Sequence, residues 1–208
     1  MKINHPKINT CKDKSLIEAY NEDIYQNYKF TTNINENIII SNTTFDSCIF
    51  ENIDFTNIEL KNVDLIDVIF ENCDLSNQQF DNKLICRVIF KNCKMLGISF
   101  IDASLKEVEL DNCICKYSNF SNTKIHNTLI KDSDLSESTF IEANIKNLFL
   151  EKVELSKTEF IKTNLKNIDF STSNINNTIF DIDSLKGIII DRFQSPFLVG
   201  LLGVTIKD

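Results

Sequence analysis

The sequence has little of what flexible or segmented proteins are built from. Its 208 residues include four Gly and two Pro, so one continuous body without a linker is expected. It has no Trp and no 18-residue apolar run, which excludes a transmembrane helix. The opening MKINHPKINTCKDK lacks an apolar signal core, so a cytoplasmic location is expected rather than secretion. The two His, at positions 5 and 126, are far apart in sequence. No Ser/His/Asp set, nucleotide loop or metal cluster is found, so neither an enzyme, a cofactor nor a metal site is expected. Cations are also short: 22 Lys and Arg face 30 Asp and Glu, a net charge of −8. That disfavours nucleic acid and anionic membrane as partners and favours a basic protein surface. The seven Cys are an odd number, read as reduced thiols.

What is abundant is order. Every fifth residue from Ile40 to Ile190 is apolar, without a break: Ile40, Phe45, Phe50, Phe55, Leu60, Leu65, and so on to Leu185 and Ile190. A period of five suits neither regular element. Residues five apart are ~140° apart on a helix and on opposite faces of a strand. The chain must therefore turn once per repeat to bring each central residue inward. Two places earlier the residues are small or β-branched, as in Thr43, Cys48, Ile53, Val63, Cys73, Cys93, Ala103 and Cys113, and they share the interior. The other places are mostly Asp, Asn, Ser, Lys and Glu, which suit solvent and turns.

Segments TTFDS, VDLID, CDLSN, SDLSE and ANIKN (43–47, 63–67, 73–77, 133–137 and 143–147) carry a resemblance to the pentapeptide-repeat family. The resemblance implies an all-β fold, a right-handed four-sided β-solenoid with four repeats per coil. Asn stands at the fifth place where the family often has Gly, and Asn tolerates turn conformations nearly as well. Residues 20 apart should then stack ~4.8 Å apart, giving a rod of roughly 37 Å. Phe80, Phe100, Phe120, Phe140, Phe160 and Phe180 should form one inner column, and Cys73, Cys93 and Cys113 another. Asn52, Asn72, Asn92 and Asn112 should make an outer amide ladder. His126 falls with Lys106, Lys146, Lys166 and Lys186 on a solvated basic edge. An outward apolar column of Ile49, Ile69, Ile89, Leu129, Phe149 and Ile189 is interrupted by Glu109 and Asp169. It reflects either strand propensity or a binding stripe, covered by the N-terminal helix folding back on it or by a partner.

Three segments are expected: an extension (1–37), the solenoid (38–190) and a tail (191–208). In the extension, Ser15 and Glu18 form a capping box, and Ile17, Tyr20, Ile24 and Tyr28 fall on one helical stripe. A helix over roughly 16–29 is predicted, capping the first coil or binding a partner. In the tail, Ser195 as N-cap, Pro196 at the first position and Gly203 as stop predict a helix over 196–202. Phe193, Phe197, Leu198, Leu201, Leu202, Val204 and Ile206 give it more apolar surface than one coil end can hide, which suggests a homodimer seam.

The run LKGIIIDRFQ…LLGVTIKD resembles the C-terminus of the quinolone-resistance (Qnr-type) pentapeptide-repeat proteins. This implies dimerisation through the tail and a DNA-like rod that binds a type II topoisomerase, DNA gyrase or topoisomerase IV, and protects it from quinolones. Charge is consistent with that along half the rod. Residues 38–112 hold 13 acidic and 6 basic residues, a net of −7, and 113–190 hold 10 and 9, a net of −1. Asp46, Glu51, Asp54, Glu59, Asp64, Asp67, Glu71 and Asp74 form the densest stretch and the candidate partner-binding surface. The alternative is a generic interaction scaffold, or a toxin-immunity factor, using the apolar column.

Overall fold

The expected turn of the chain is visible in the backbone itself. In the computed structural model, which describes residues 3–19 and 23–207, the fifth place of repeat after repeat has positive φ. Among the described residues, fourteen of the 26 non-glycine residues with positive φ are Asn, including Asn52, Asn72, Asn92 and Asn112. These residues turn the corners, and Asn is the side chain that tolerates this conformation best. At Gly97 a side chain would also collide, since a Cβ there would lie 2.9 Å from Asn77 Oδ1.

Between corners the chain forms a parallel β-solenoid. Leu105 pairs with Ile85 on one side and Ile125 on the other, a register of twenty residues per coil. The broadest wall stacks five eight-residue strands: Asp64–Glu71, Leu84–Lys91, Ser104–Asp111, Lys124–Lys131 and Asn144–Glu151. Thr44–Asp46 and Ile49–Glu51 pair with the first of these.

Inside, side chains repeat from coil to coil. The rings from Phe80 to Phe180 stack in one column with centroids 4.5–5.7 Å apart. A second column runs Phe30, Phe50, Phe70, Phe90 at 4.7–5.1 Å. The small inward residues do more than fill space. Thr123 Oγ1 donates to Phe100 O at 2.6 Å, Thr158 to Leu135 O at 2.8 Å and Thr178 to Leu155 O at 2.7 Å, each across 23 residues. The thiols of Cys73, Cys93 and Cys113 do the same to Phe50 O, Phe70 O and Phe90 O. These cysteines are therefore compact hydrophobes that also donate hydrogen bonds between coils. All seven Cys are free.

Two expectations about the ends are corrected. Residues 16–29 do not form one helix. Leu16–Ala19 is a single 3₁₀ turn, followed by strands Ile24–Gln26 and Tyr28–Phe30, which pair with Thr44–Asp46 and Ile49–Phe50. Ile24 is exposed while Tyr25 is fully buried against Phe45, the reverse of what the helical stripe requires. Tyr25 and Phe30 extend the five-residue period, so the paired body begins inside the segment read as an extension. Tyr20 lies outside the described residues. At the other end the helix spans Ser195–Leu201, and Gln194, not Ser195, occupies the cap position. Asp191 Oδ1 accepts from the Phe193 and Gln194 amides, and Ser195 Oγ turns back to Arg192 O. Gly203, at φ +73, follows the helix.

Candidate partner-binding surfaces

The eight acidic residues of the lower rod are spread over several walls, and half are neutralised. Glu51 pairs with Lys29, Asp67 with Arg87 at 2.6 Å, Glu71 with Lys91 at 2.9 Å and Asp74 with Lys94 at 2.8 Å. In the last three pairs the cation sits one coil further on. Burial alone would raise Asp74, but the Lys94 ammonium and the Ser76 hydroxyl hold it below the usual carboxylate range. Asp46, Asp54, Glu59 and Asp64 make no ion pair among the described residues. Asp46 accepts from Gln26, Asp54 from the Thr56 amide and Asp64 from the Leu84 amide. Among the described residues no group of three or more His, Cys, Asp and Glu converges as a metal site.

Asp67 is buried, and what covers it is the N-terminal segment. Residues 3–11 run as an extended arm across the broad wall. Cys11 Sγ lies 3.5 Å from Ser47 O, the Lys7 amide donates to Asp67 Oδ1 at 2.9 Å and the Asn4 amide to Glu107 Oε2 at 2.8 Å. His5 Nδ1 lies 3.6 Å from Glu109, which also pairs with Lys131 at 2.9 Å. Ile3, Asp67, Glu107 and Glu109 are all buried. The helix expected to fold back on this apolar column is absent, and residues 3–11 lie on the wall instead. Ile49, Ile69, Ile89, Leu129 and Phe149 are half-buried and Ile189 is exposed.

Near the N-terminal end the coil-to-coil ladder is interrupted where the five-residue pattern does not announce it. Strand Ile38–Ser41 pairs with Ile58–Lys61, yet no pairing links the latter to the next coil. The Gln78 amide takes the place of the missing strand. Its Oε1 accepts from the Leu60 amide at 3.0 Å, and its Nε2 donates to Ile58 O at 2.7 Å and Phe55 O at 3.3 Å. A groove of about 1020 Å³, lined by residues that include Glu59, Lys61, Asp74 and Asp81, opens beside it. Gln78 stands in a column otherwise made of Ile58, Ile98, Ser118, Ser138, Thr158 and Thr178, and that mismatch is the sequence signal for the break. A smaller groove of about 430 Å³ lies where the broad wall ends, beside Phe149 and Ile168.

The tail divides in two. Phe197 and Leu198 pack on the last coil, whereas Phe193, Leu201, Leu202, Val204 and Ile206 are exposed, Phe193 by 76%.

Two family models match the chain: a pentapeptide repeat region over 63–140, and pentapeptide repeats (8 copies) over 39–77 and 133–177. Together they run from residue 39 to residue 177. No curated protein sequence matches. Among solved structures, full-length QnrB1, a plasmid-mediated fluoroquinolone resistance protein, is 21% identical over 87% of this chain and 90% of its own, with a TM-score of 0.49. HetL, a pentapeptide repeat protein involved in heterocyst differentiation regulation from the cyanobacterium Nostoc sp. strain PCC 7120, is 14% identical over 80% of this chain and 89% of its own, with a TM-score of 0.31. The catalytic domain of a GH87 alpha-1,3-glucanase is 12% identical over 81% and 48%, with a TM-score of 0.35. Likeness at this level transfers no activity.

Proposed function

The chain belongs to the pentapeptide-repeat family, and from that premise we propose that it is a non-enzymatic rod whose acidic lower half occupies a basic, DNA-binding groove on another protein. The partner class is a type II topoisomerase, DNA gyrase or topoisomerase IV, and the expected consequence is protection against quinolones. The observation that carries this reading is the set of carboxylates that make no ion pair among the described residues, Asp46, Asp54, Glu59 and Asp64, within the stretch of net charge −7. Such a stretch should dock by charge complementarity, with an affinity that falls as salt rises. The resemblance of LKGIIIDRFQ…LLGVTIKD to the Qnr-type C-terminus supports the same partner and a homodimer joined at the tail.

The test is a gyrase supercoiling titration, with and without a quinolone, at two salt concentrations. Micromolar protein should inhibit supercoiling or rescue it from the drug at low salt, with a weaker effect at high salt. An absence of both effects at low salt sinks the proposal. A second reading, a scaffold or toxin-immunity factor using the apolar wall, is favoured by the half-buried Ile49, Ile69 and Ile89 column. It predicts partner capture that is insensitive to salt but lost in Ile69→Asp and Ile89→Asp.

A further inference from the structure

The N-terminal arm is a peptide already seated on a surface, and its seating has a regular geometry. Among the described residues its backbone amides bond the wall at Asn4 and Lys7, three residues apart. Three extended residues span ~10 Å. Their acceptors, Glu107 and Asp67, sit at the same corner position two coils apart, a rise of ~9.6 Å. The spacing of an extended chain therefore matches the spacing of every second coil. Pro6 has no amide to leave unpaired and biases His5 toward extended backbone, so the arm's own sequence prepares this shape.

The chemistry matches as well. Residues 1–12 contain Lys2, His5, Lys7 and Lys12 and no Asp or Glu. The wall beneath presents three buried carboxylates, Asp67, Glu107 and Glu109. The Glu107 side chain is fixed from behind, since Asn127 Nδ2 donates to its other oxygen at 2.9 Å. Asp67 is held the same way by Arg87, which donates to both of its oxygens at 2.6 Å. Both acceptors are thus oriented by the body of the solenoid, and the arm adds only the last bond to each.

We propose that this wall is a docking track for an extended, basic, acid-free peptide segment of a partner protein, and that the chain's own arm is its resident occupant, displaced when the partner binds. The proposal does not depend on the topoisomerase reading, because it rests on backbone donors to Asp67 and Glu107 rather than on the bulk charge of Asp46, Asp54, Glu59 and Asp64.

The test uses the full chain. The double substitution Asn4→Pro, Lys7→Pro removes both amide donors and leaves the wall intact. A fluorescent peptide of residues 2–11 should bind this variant at least tenfold more tightly than the unaltered chain, by anisotropy. Adding Glu107→Gln, or Asp67→Asn, should weaken that binding at least tenfold. A scrambled peptide of the same composition should not compete. Equal binding to the variant and the unaltered chain, indifference to the carboxylate changes, or equal binding of the scrambled peptide would each overturn the proposal. Amide exchange on the unaltered chain is a second readout. The Asn4 and Lys7 amides should open faster than the core of the broad wall, and exchange only through global unfolding would exclude displacement.

Discussion

Each corner asks one residue to hold positive φ, and residue identity decides how easily that is done. Asn does so at fourteen places, but Tyr117 stands in the same conformation at φ 62 with its side chain exposed. A left-handed conformation costs an ordinary L-residue ~1–2 kcal/mol. Tyr117→Asn should therefore raise stability by about 1 kcal/mol, a rise of ~2–4 °C in melting temperature for a chain of this size. Asn92→Ala should do the opposite, because it also removes the side-chain bonds to Asn72 and Asn112. The corners were legible from the asparagines at the fifth place. The hydrogen bonding of the inward thiols was not, because a pattern of small residues does not reveal a donor aimed at the preceding coil. Burial pushes the Cys48 thiol up to about 12, and of the seven thiols Cys11 alone is half-buried rather than buried. Thiol titration of the native chain should thus show one reactive group, with six more appearing on unfolding.

Among elements, the arm and the Gln78 plug each lie where the repeat alone gives no instruction. Gln78→Ala should strip the Leu60 amide and the Ile58 carbonyl of their Gln78 partner inside the wall, while Phe55 O keeps the Ile58 amide. At ~1–3 kcal/mol per buried group stranded, a loss of about 3 kcal/mol is expected, read as a lower urea midpoint. The arm gives a pH dependence. Burial pushes Asp67 up, but Arg87 and the Lys7 amide outweigh it, and the carboxyl sits below its ordinary range. Glu107 is lowered in the same sense by Asn127 and Asn4, with His126 nearby, against its own burial. A depressed carboxylate contributes stability that is full above the unfolded-state pKa, ~3.9 for Asp and ~4.3 for Glu, and is lost as pH falls through the folded value. Protease access to residues 3–11 should therefore be constant from neutral pH down to about 5 and rise below about 4. The helix expected at 16–29 failed for a physical reason. Ile17, Tyr20, Ile24 and Tyr28 satisfy a helical spacing, but Tyr25 and Phe30 can complete the aromatic stacks on Phe45 and Phe50 only from strands. Asn35 interrupts the fivefold count between Phe30 and Ile40 and concealed that continuation.

For the whole molecule, the two ends differ in kind. At one end Leu16, in the turn Leu16–Ala19, is buried in the core beside the first strands, while the other leaves Phe193, Leu201, Leu202, Val204 and Ile206 in solvent. Exposed apolar clusters of this sort mark association surfaces. Sedimentation should give a mass about twice 24.0 kDa, and Leu201→Asp with Val204→Asp should return the single chain with an unchanged far-UV spectrum. A monomer at all concentrations would remove the seam. The apolar excess of the tail was readable in the sequence, but its division between Phe197 and Leu198, turned inward, and the five exposed residues depends on how the helix lands on the last coil.

The fixed register of twenty has a consequence for how such a chain can change length. A gain or loss of one full coil would slide everything beyond it along the axis and keep every wall aligned. A gain or loss of one repeat would instead rotate all later residues by a quarter turn, carrying Glu107 away from Asn4 and swinging the tail to a different compass bearing from the carboxylates below. Lineages descended from a rod of this design should therefore drift in length by multiples of twenty wherever both ends must face the same way.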